Sequence, residues 1–195
     1  MWPYTYAACD IGTLPNQTQN GNPAAVAGLS YLPGQRLSAC TCPGADHPGP
    51  SVSVGRGAPE IDVLEAQINI AHAKGQVSQS LQVAPFNINY QFNNASSSTP
   101  LEGSTTQFNV YKGAQYQQAI SAVTDISSSD YYNGKGFATY AYEWWADPNN
   151  RNGGYVQWYS EGKQTWKATP GTLAGDTTTG ISSRIIPEEP MVCSG

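Results

Sequence analysis

Three acids stand close together in the stretch Gly57-Ala58-Pro59-Glu60-Ile61-Asp62-Val63-Leu64-Glu65. In a flat strand alternate side chains share a face, so Glu60, Asp62 and Leu64 point one way and Glu65 the other. One β-bulge after Asp62 absorbs a residue and swings Glu65 onto the face of the other two. Glu60 and Glu65 then lie about four pleat steps apart, roughly 13 Å between Cα atoms. Two glutamate side chains leaning together shorten that gap toward the ~5–5.5 Å between carboxyl groups that a retaining glycosidase needs. In that chemistry one carboxylate attacks the anomeric carbon while a carboxylic acid protonates the leaving oxygen. Asp62 between them would hydrogen-bond or repel Glu60 and tune the protons of the trio. Spacing alone leaves a second reading open, in which the same acids form a solvent-facing acidic edge strand.

Other chemistries find less support. The histidines are His47 and His72, and no G-x-S-x-G elbow accompanies them, so nucleophilic serine catalysis is not expected. His47 sits in a Pro/Gly-rich loop and reads as a loop hydrogen-bonder. Cys40 and Cys42 flank one Thr, which is not a C-x-x-C pair, and no second Cys/His pair stands at zinc spacing. Neither a metal nor a cofactor is expected. Gln82, on the polar face of the strand after the acids, is a candidate sugar contact; an ordinary surface glutamine is the alternative. Trp144, Trp145, Trp158 and Trp166 could stack on sugar faces. Alternation puts Trp144 on an apolar face, which leaves Trp145 and Trp158 as the candidates for lining a cleft.

These residues need strands to position them. Ile61 to Ile68 reads as the first. Val77 to Ala84 alternates, with Val77, Gln79, Leu81 and Val83 on one face and Ser78, Ser80 and Gln82 on the other. Phe86 to Phe92 and Gln107 to Tyr111 are further candidates; Gln117 to Ile126 could be helix or strand, and strand is favoured. Phe137 to Trp145 places Ala138, Tyr140, Tyr142 and Trp144 on one side. Asn152-Gly153-Gly154 turns the chain into Tyr155 to Tyr159, and Glu161-Gly162-Lys163 is a tight hairpin turn into Gln164 to Lys167. Many short strands separated by turn signals predict an all-β, antiparallel sandwich or barrel. Residues 3–58, rich in Pro, Gly, Asn and Ser, read as one long irregular insertion, and a loop of that length is usually functional.

Composition agrees. The chain has 195 residues, enough for one domain with a real core, and is poor in helix formers. Charged residues make up 12% and the net charge is -5, which excludes a basic nucleic-acid footprint. Low charge with abundant Tyr and Trp suits a neutral, hydroxyl-rich ligand. The four cysteines are Cys9, Cys40, Cys42 and Cys193. They fit an oxidising compartment, where a disulfide from Cys9 to Cys40 or Cys42 would staple the long insertion. The sequons Asn16-Gln17-Thr18 and Asn94-Ala95-Ser96 point the same way and make Asn16 and Asn94 glycosylation candidates. No apolar run approaches the ~20 residues of a membrane span. Met1-Trp2-Pro3-Tyr4 opens no signal peptide. A secreted-looking chain without an export signal is expected to be a piece of a longer one.

The acid stretch resembles the bulged E-x-D-x-x-E signature of glycoside hydrolase family 16. Tyr140-Ala141-Tyr142-Glu143-Trp144, then Tyr155-Val156-Gln157-Trp158-Tyr159 and Gly162-Lys163, are similar to that family's later strand pair, with Glu161 where the family has Asp. A closer resemblance is to its fungal β-1,6-glucan synthesis-associated branch. It rests on Trp2 to Tyr6 with Cys9-Asp10, Ser30 to Leu37 with Cys40-Thr41-Cys42, and Asp46-His47-Pro48. Gly55 to Asp62, Ser78 to Gln82 with Ala84-Pro85-Phe86, and Glu189-Pro190-Met191 continue it over nearly the whole chain. The resemblance implies a concanavalin-like β-jelly-roll sandwich with a glycan cleft on its concave face. It implies Glu60 as nucleophile, Glu65 as general acid/base and Asp62 as assisting acid. It also implies β-glucan polysaccharide as partner. The setting would be the secretory-pathway lumen or cell surface, in a type II membrane protein anchored through a segment absent here. No residue decides between hydrolysis, transglycosylation and non-catalytic glucan binding as a scaffold. Family strands that precede the segment near Trp2, and one that follows Met191, have no counterpart. Residues 1–195 are therefore expected to form a single partial domain, an incomplete sandwich of low stability.

Overall fold

A computed structural model describes residues 59–83, 90–114, 117–131, 136–188 and 190–193. The insertion expected at about 3–58, with Cys9, Cys40, Cys42, Asn16 and His47, lies outside the described residues, as do residues 86–89 of the strand expected over Phe86 to Phe92. The described residues are mostly β. The strands are β1 (Glu60–Asn69), β2 (Lys74–Val83), β3 (Thr106–Phe108), β4 (Gly113–Ala114), β5 (Gln117–Asp125), β6 (Tyr140–Trp145), β7 (Tyr155–Ser160), β8 (Lys163–Ala168) and β9 (Met191–Cys193). One short helix, α1, spans Ser128–Tyr131. No helix among the described residues is long and apolar enough to cross a membrane.

Two sheets form. The larger runs β3-β5-β2-β1-β9, with β4 also pairing β5; the smaller runs β6-β7-β8. All pairings are antiparallel except β1 with β9, a parallel pair at the sheet edge. Turn chemistry explains the hairpins. Between β1 and β2 the Asn69 side chain accepts a hydrogen bond from His72 N at 3.3 Å, closing a single 3-10 turn. Between β7 and β8, Glu161 at φ 52 and Gly162 at φ 74 occupy consecutive left-handed positions. That is the geometry whose twist matches a two-residue hairpin. Glu161 also accepts a hydrogen bond from Ser127 N at 2.8 Å, tying the turn to the start of α1.

The core lies between the sheets. Ile61, Leu81, Val83, Ile120 and Ala122 from the larger sheet meet Val156, Trp158, Trp166 and Ala168 from the smaller, with Leu173 and Ile186 closing the ends. Period-two alternation in β2 fixes this arrangement, since Val77, Gln79, Leu81 and Val83 all turn inward as expected. Trp158 and Trp166, cross-strand partners, stack with ring centroids 4.1 Å apart and planes 3° from parallel. Such rings contribute the largest apolar areas of a core.

Some expected strands shift. The strand over Gln117 to Ile126 is present, and that over Phe137 to Trp145 begins only at Tyr140. The one over Gln107 to Tyr111 ends at Phe108, because Asn109 turns the chain by accepting a hydrogen bond from Tyr111 N at 3.1 Å. Residues 90–92 are not a strand. There Tyr90 is fully buried and donates its hydroxyl to Ala174 O at 2.7 Å.

Candidate active site

The register of β1 on β2 pairs Glu60 with Gln82, Asp62 with Ser80 and Glu65 with Ser78, with an irregularity between Asp62 and Glu65. Three steps along β1 thus oppose two along β2, which is one extra residue and hence a bulge. Cross-strand partners share a face. Gln82, Ser80 and Ser78 alternate along β2, so Glu60, Asp62 and Glu65 all stand on one face. It is the face turned away from the core, since Ile61 and Leu81 between them are fully buried inside the sandwich. The bulge falls where the spacing of the acids places it.

A bulge leaves backbone carbonyls without ladder partners, and a buried one must find another. Trp158 Nε1 donates to Asp62 O at 2.9 Å. Gln79 Nε2 donates to Val63 O at 2.9 Å and to Tyr159 O at 3.0 Å. Thr165 Oγ1 donates to Gln79 Oε1 at 2.9 Å, and Trp166 Nε1 to Gln79 O at 3.2 Å. A lone amide on an otherwise apolar face therefore clamps the bulge to the smaller sheet.

On the acid face the neighbours are small and polar. Ser80 pairs with Ser121 of β5, and Ser78, Ser80 and Ser121 are all buried. Asp62 is only 3% exposed, Glu60 is half-buried and Glu65 is exposed. Asp62 Oδ2 accepts two hydrogen bonds, from Ser80 Oγ at 2.5 Å and from Gln82 Nε2 at 2.6 Å. Although Glu65 is exposed as a whole residue, its pKa is raised, first by partial desolvation of the carboxyl against the surrounding protein and then by the negative charge of Asp62. A glutamic acid that keeps its proton to higher pH is what protonation of a leaving oxygen requires. The parallel edge strand places Met191 beside Glu60 and Cys193 beside Asp62 in register.

The other candidates are placed as follows. Gln82 stands on the acid face with its amide engaged by Asp62. Trp158 is fully buried in the core, so the expectation that it lines a cleft is corrected: its indole supports the bulge from inside. Trp145 is 46% exposed but pairs with Tyr155, on the outer face of the smaller sheet. That is the opposite side of the sandwich from the acids, so Trp145 does not line their face either. Asn94 is exposed, just before a turn at 96–98. Among the described residues no three His, Cys, Asp or Glu gather as metal ligands. Sequence reasoning missed Ser80 and Gln79. Gln79 carried a signal, a polar residue in phase with Val77, Leu81 and Val83; Ser80 carried none beyond the polar alternation of β2.

Over residues 1–193 the chain matches the family described as beta-glucan synthesis-associated protein SKN1/KRE6/Sbg1. It is 42% identical over 199 residues to beta-glucan synthesis-associated protein KRE6 of Saccharomyces cerevisiae, covering 98% of this chain and 25% of that protein. It is 42% identical over 198 residues to beta-glucan synthesis-associated protein SKN1 of Candida albicans, covering 98% of this chain and 24% of that protein. The chain thus spans about a quarter of the length of the curated relatives it matches. No solved structure matches it significantly.

Proposed function

This chain belongs to the beta-glucan synthesis-associated SKN1/KRE6/Sbg1 family, and on that premise we propose that it carries the catalytic acids of a retaining β-glucan hydrolase or transglycosylase of the glycoside hydrolase family 16 type. Its role would be in fungal cell-wall β-1,6-glucan assembly. The observation that carries the reading is the bulge, which puts Glu60, Asp62 and Glu65 on one face of β1. Glu60 attacks the anomeric carbon and forms a glycosyl-enzyme ester as Glu65 gives its proton to the departing glycosidic oxygen. Glu65, now a carboxylate, takes a proton from water or from a sugar hydroxyl, which displaces Glu60. Water gives hydrolysis; a glucan hydroxyl gives transfer. Asp62 stands between them along the acid face, and its charge repels that of Glu65. That repulsion favours the protonated form of Glu65 at the start of the cycle.

We also propose a setting in the secretory-pathway lumen or at the cell surface, with membrane attachment through a part of the full-length protein beyond this chain. Glycosylation at Asn94, which is exposed, suits that setting. The test of the activity is Glu60→Gln in the full-length protein. The amide keeps the shape and loses the nucleophile, so glucan cleavage or transfer should vanish while folding and glucan binding persist. Undiminished activity in that variant would sink the assignment. Glucan binding without turnover in the wild type would return the chain to a scaffold role.

A further inference from the structure

We propose that Ser80 and Gln82 are positioning residues: together they lock the Asp62 carboxylate through one oxygen and so fix where its charge stands relative to Glu65. The inference rests on the glycosidase reading for its catalytic consequence, and on the hydrogen bonds alone for its geometry. Ser80 Oγ and Gln82 Nε2 both donate to Oδ2 of Asp62, at 2.5 and 2.6 Å. Two donors on the same oxygen stop the carboxylate rotating, because any turn breaks both bonds. Bonds to an ionised acceptor are short and strong, as these are. Water competes little, since Asp62 and Ser80 are each 3% exposed. The backbone is held as well, by Trp158 Nε1 on Asp62 O at 2.9 Å. Asp62 is thus fixed at its carbonyl from inside the sandwich and at its carboxylate from the acid face.

That rigidity matters because Coulomb repulsion depends on distance, and a charge that swings loses its effect on a neighbour. Among the described residues, the ionisable groups on the face of Glu65 besides its β1 neighbours Glu60 and Asp62 are Lys74 of β2 and Asp125 of β5, which pair with each other at 2.8 Å beyond Gln76. The nearer positions of β2 and β5, Ser78, Ser80 and Gln82 with Ala119, Ser121 and Val123, do not titrate. On the far side β9 sets Met191 and Cys193 in register with Glu60 and Asp62. The partial desolvation of the Glu65 carboxyl and the repulsion of Asp62 act in the same direction on its proton. The geometry gives Gln82 a role besides direct sugar contact, since one of its amide N–H groups is held by Asp62.

The test compares wild type, Ser80→Ala, Gln82→Met and Gln82→His in the full-length protein, assayed on a β-glucan oligosaccharide. Each of the first two should lower kcat by about tenfold, the worth of one hydrogen bond to a charged group. Oligosaccharide affinity should stay level. The alkaline limb of the pH profile should move to lower pH as Glu65 loses its fixed neighbour, and Gln82→His, which keeps a donor, should recover much of the rate. Carbon-13 carboxyl NMR of Glu65 in the same variants reads the lock without turnover, and Glu65 should titrate at lower pH in both. If the wild type turns nothing over, the catalytic reading fails, and the NMR titration still decides the lock. An unmoved Glu65 titration, or a Gln82→Met variant that loses affinity at constant kcat, would overturn the proposal.

Discussion

Replacing Gln79 with Leu removes an amide that bridges the two sheets across the core. Leucine matches the apolar face of β2 and fills much of the same volume, so a reading from alternation alone expects a neutral or stabilising change. The structure predicts the opposite. Gln79 is fully exposed to nothing but protein, at 0% accessibility, and its side chain satisfies Val63 O, Tyr159 O and Thr165 Oγ1. Leucine leaves all three without that partner, and a buried polar group so orphaned costs about 1–3 kcal/mol. The added apolar burial returns about 1.5–3 kcal/mol. The net is a loss of about 3 kcal/mol, a large share of the ~5–15 kcal/mol that holds a domain together. Denaturant unfolding followed by tryptophan fluorescence measures it, since Trp158 and Trp166 stack beside the site. Thr165→Val supplies an internal control. With the Thr165 hydroxyl already gone, Gln79→Leu orphans one group fewer, so the double variant should lose less than the sum of the singles, by about 1 kcal/mol. A Gln79→Leu protein as stable as wild type, or strictly additive variants, would refute the claim that this amide clamps the bulge.

Three further outcomes follow from the same contacts. Trp158→Phe keeps an aromatic ring against Trp166 but orphans Asp62 O; stability should fall by about 2–4 kcal/mol in the same unfolding assay, with a drop in kcat as the bulge loosens. Asp62→Asn removes the charge that repels Glu65 while its partial desolvation remains, so the pKa of Glu65 should fall, and the alkaline limb of a pH–rate profile should move to lower pH. Tyr90, whose hydroxyl burial and the nearby Asp176 push up to about 12 from 10.0, favours its neutral form in the fold. Its contribution is complete below the unfolded value and is lost as pH rises from there through the folded one. Tyr90→Phe should flatten that alkaline limb of the stability profile, at a cost of about 1 kcal/mol for the lost bond to Ala174 O.

The acid face was legible in the sequence because parity is unforgiving in a strand. Three acids spaced E-x-D-x-x-E share a face only if one residue bulges, and the register shows that bulge. The β2 alternation and the Glu161-Gly162 turn were legible for similarly local reasons. What was not legible depends on contacts between distant segments. Tyr155 to Ser160 carries aromatics on both faces, so alternation cannot say which face of β7 meets the core, and Trp158 stays a candidate for the cleft until the sheets are seen to stack. Its indole reaches Asp62 O only because the two sheets stack. The parallel pairing of Met191–Cys193 with β1 joins segments far apart in the chain, and no local pattern announces it. Gln79 looked like an interruption of an apolar face because its three partners come from three other strands.

The central claim, that Glu60 is a nucleophile on a shared acid face, is tested most directly by trapping its ester. A 2-deoxy-2-fluoro β-gluco-oligosaccharide with an activated leaving group forms the glycosyl-enzyme and stalls its breakdown. Intact mass of the full-length protein after incubation, followed by peptide mapping, should show one sugar adduct on the peptide that carries Glu60, absent in Glu60→Gln. Glucan turnover with no adduct, or an adduct on any other residue, would contradict the account.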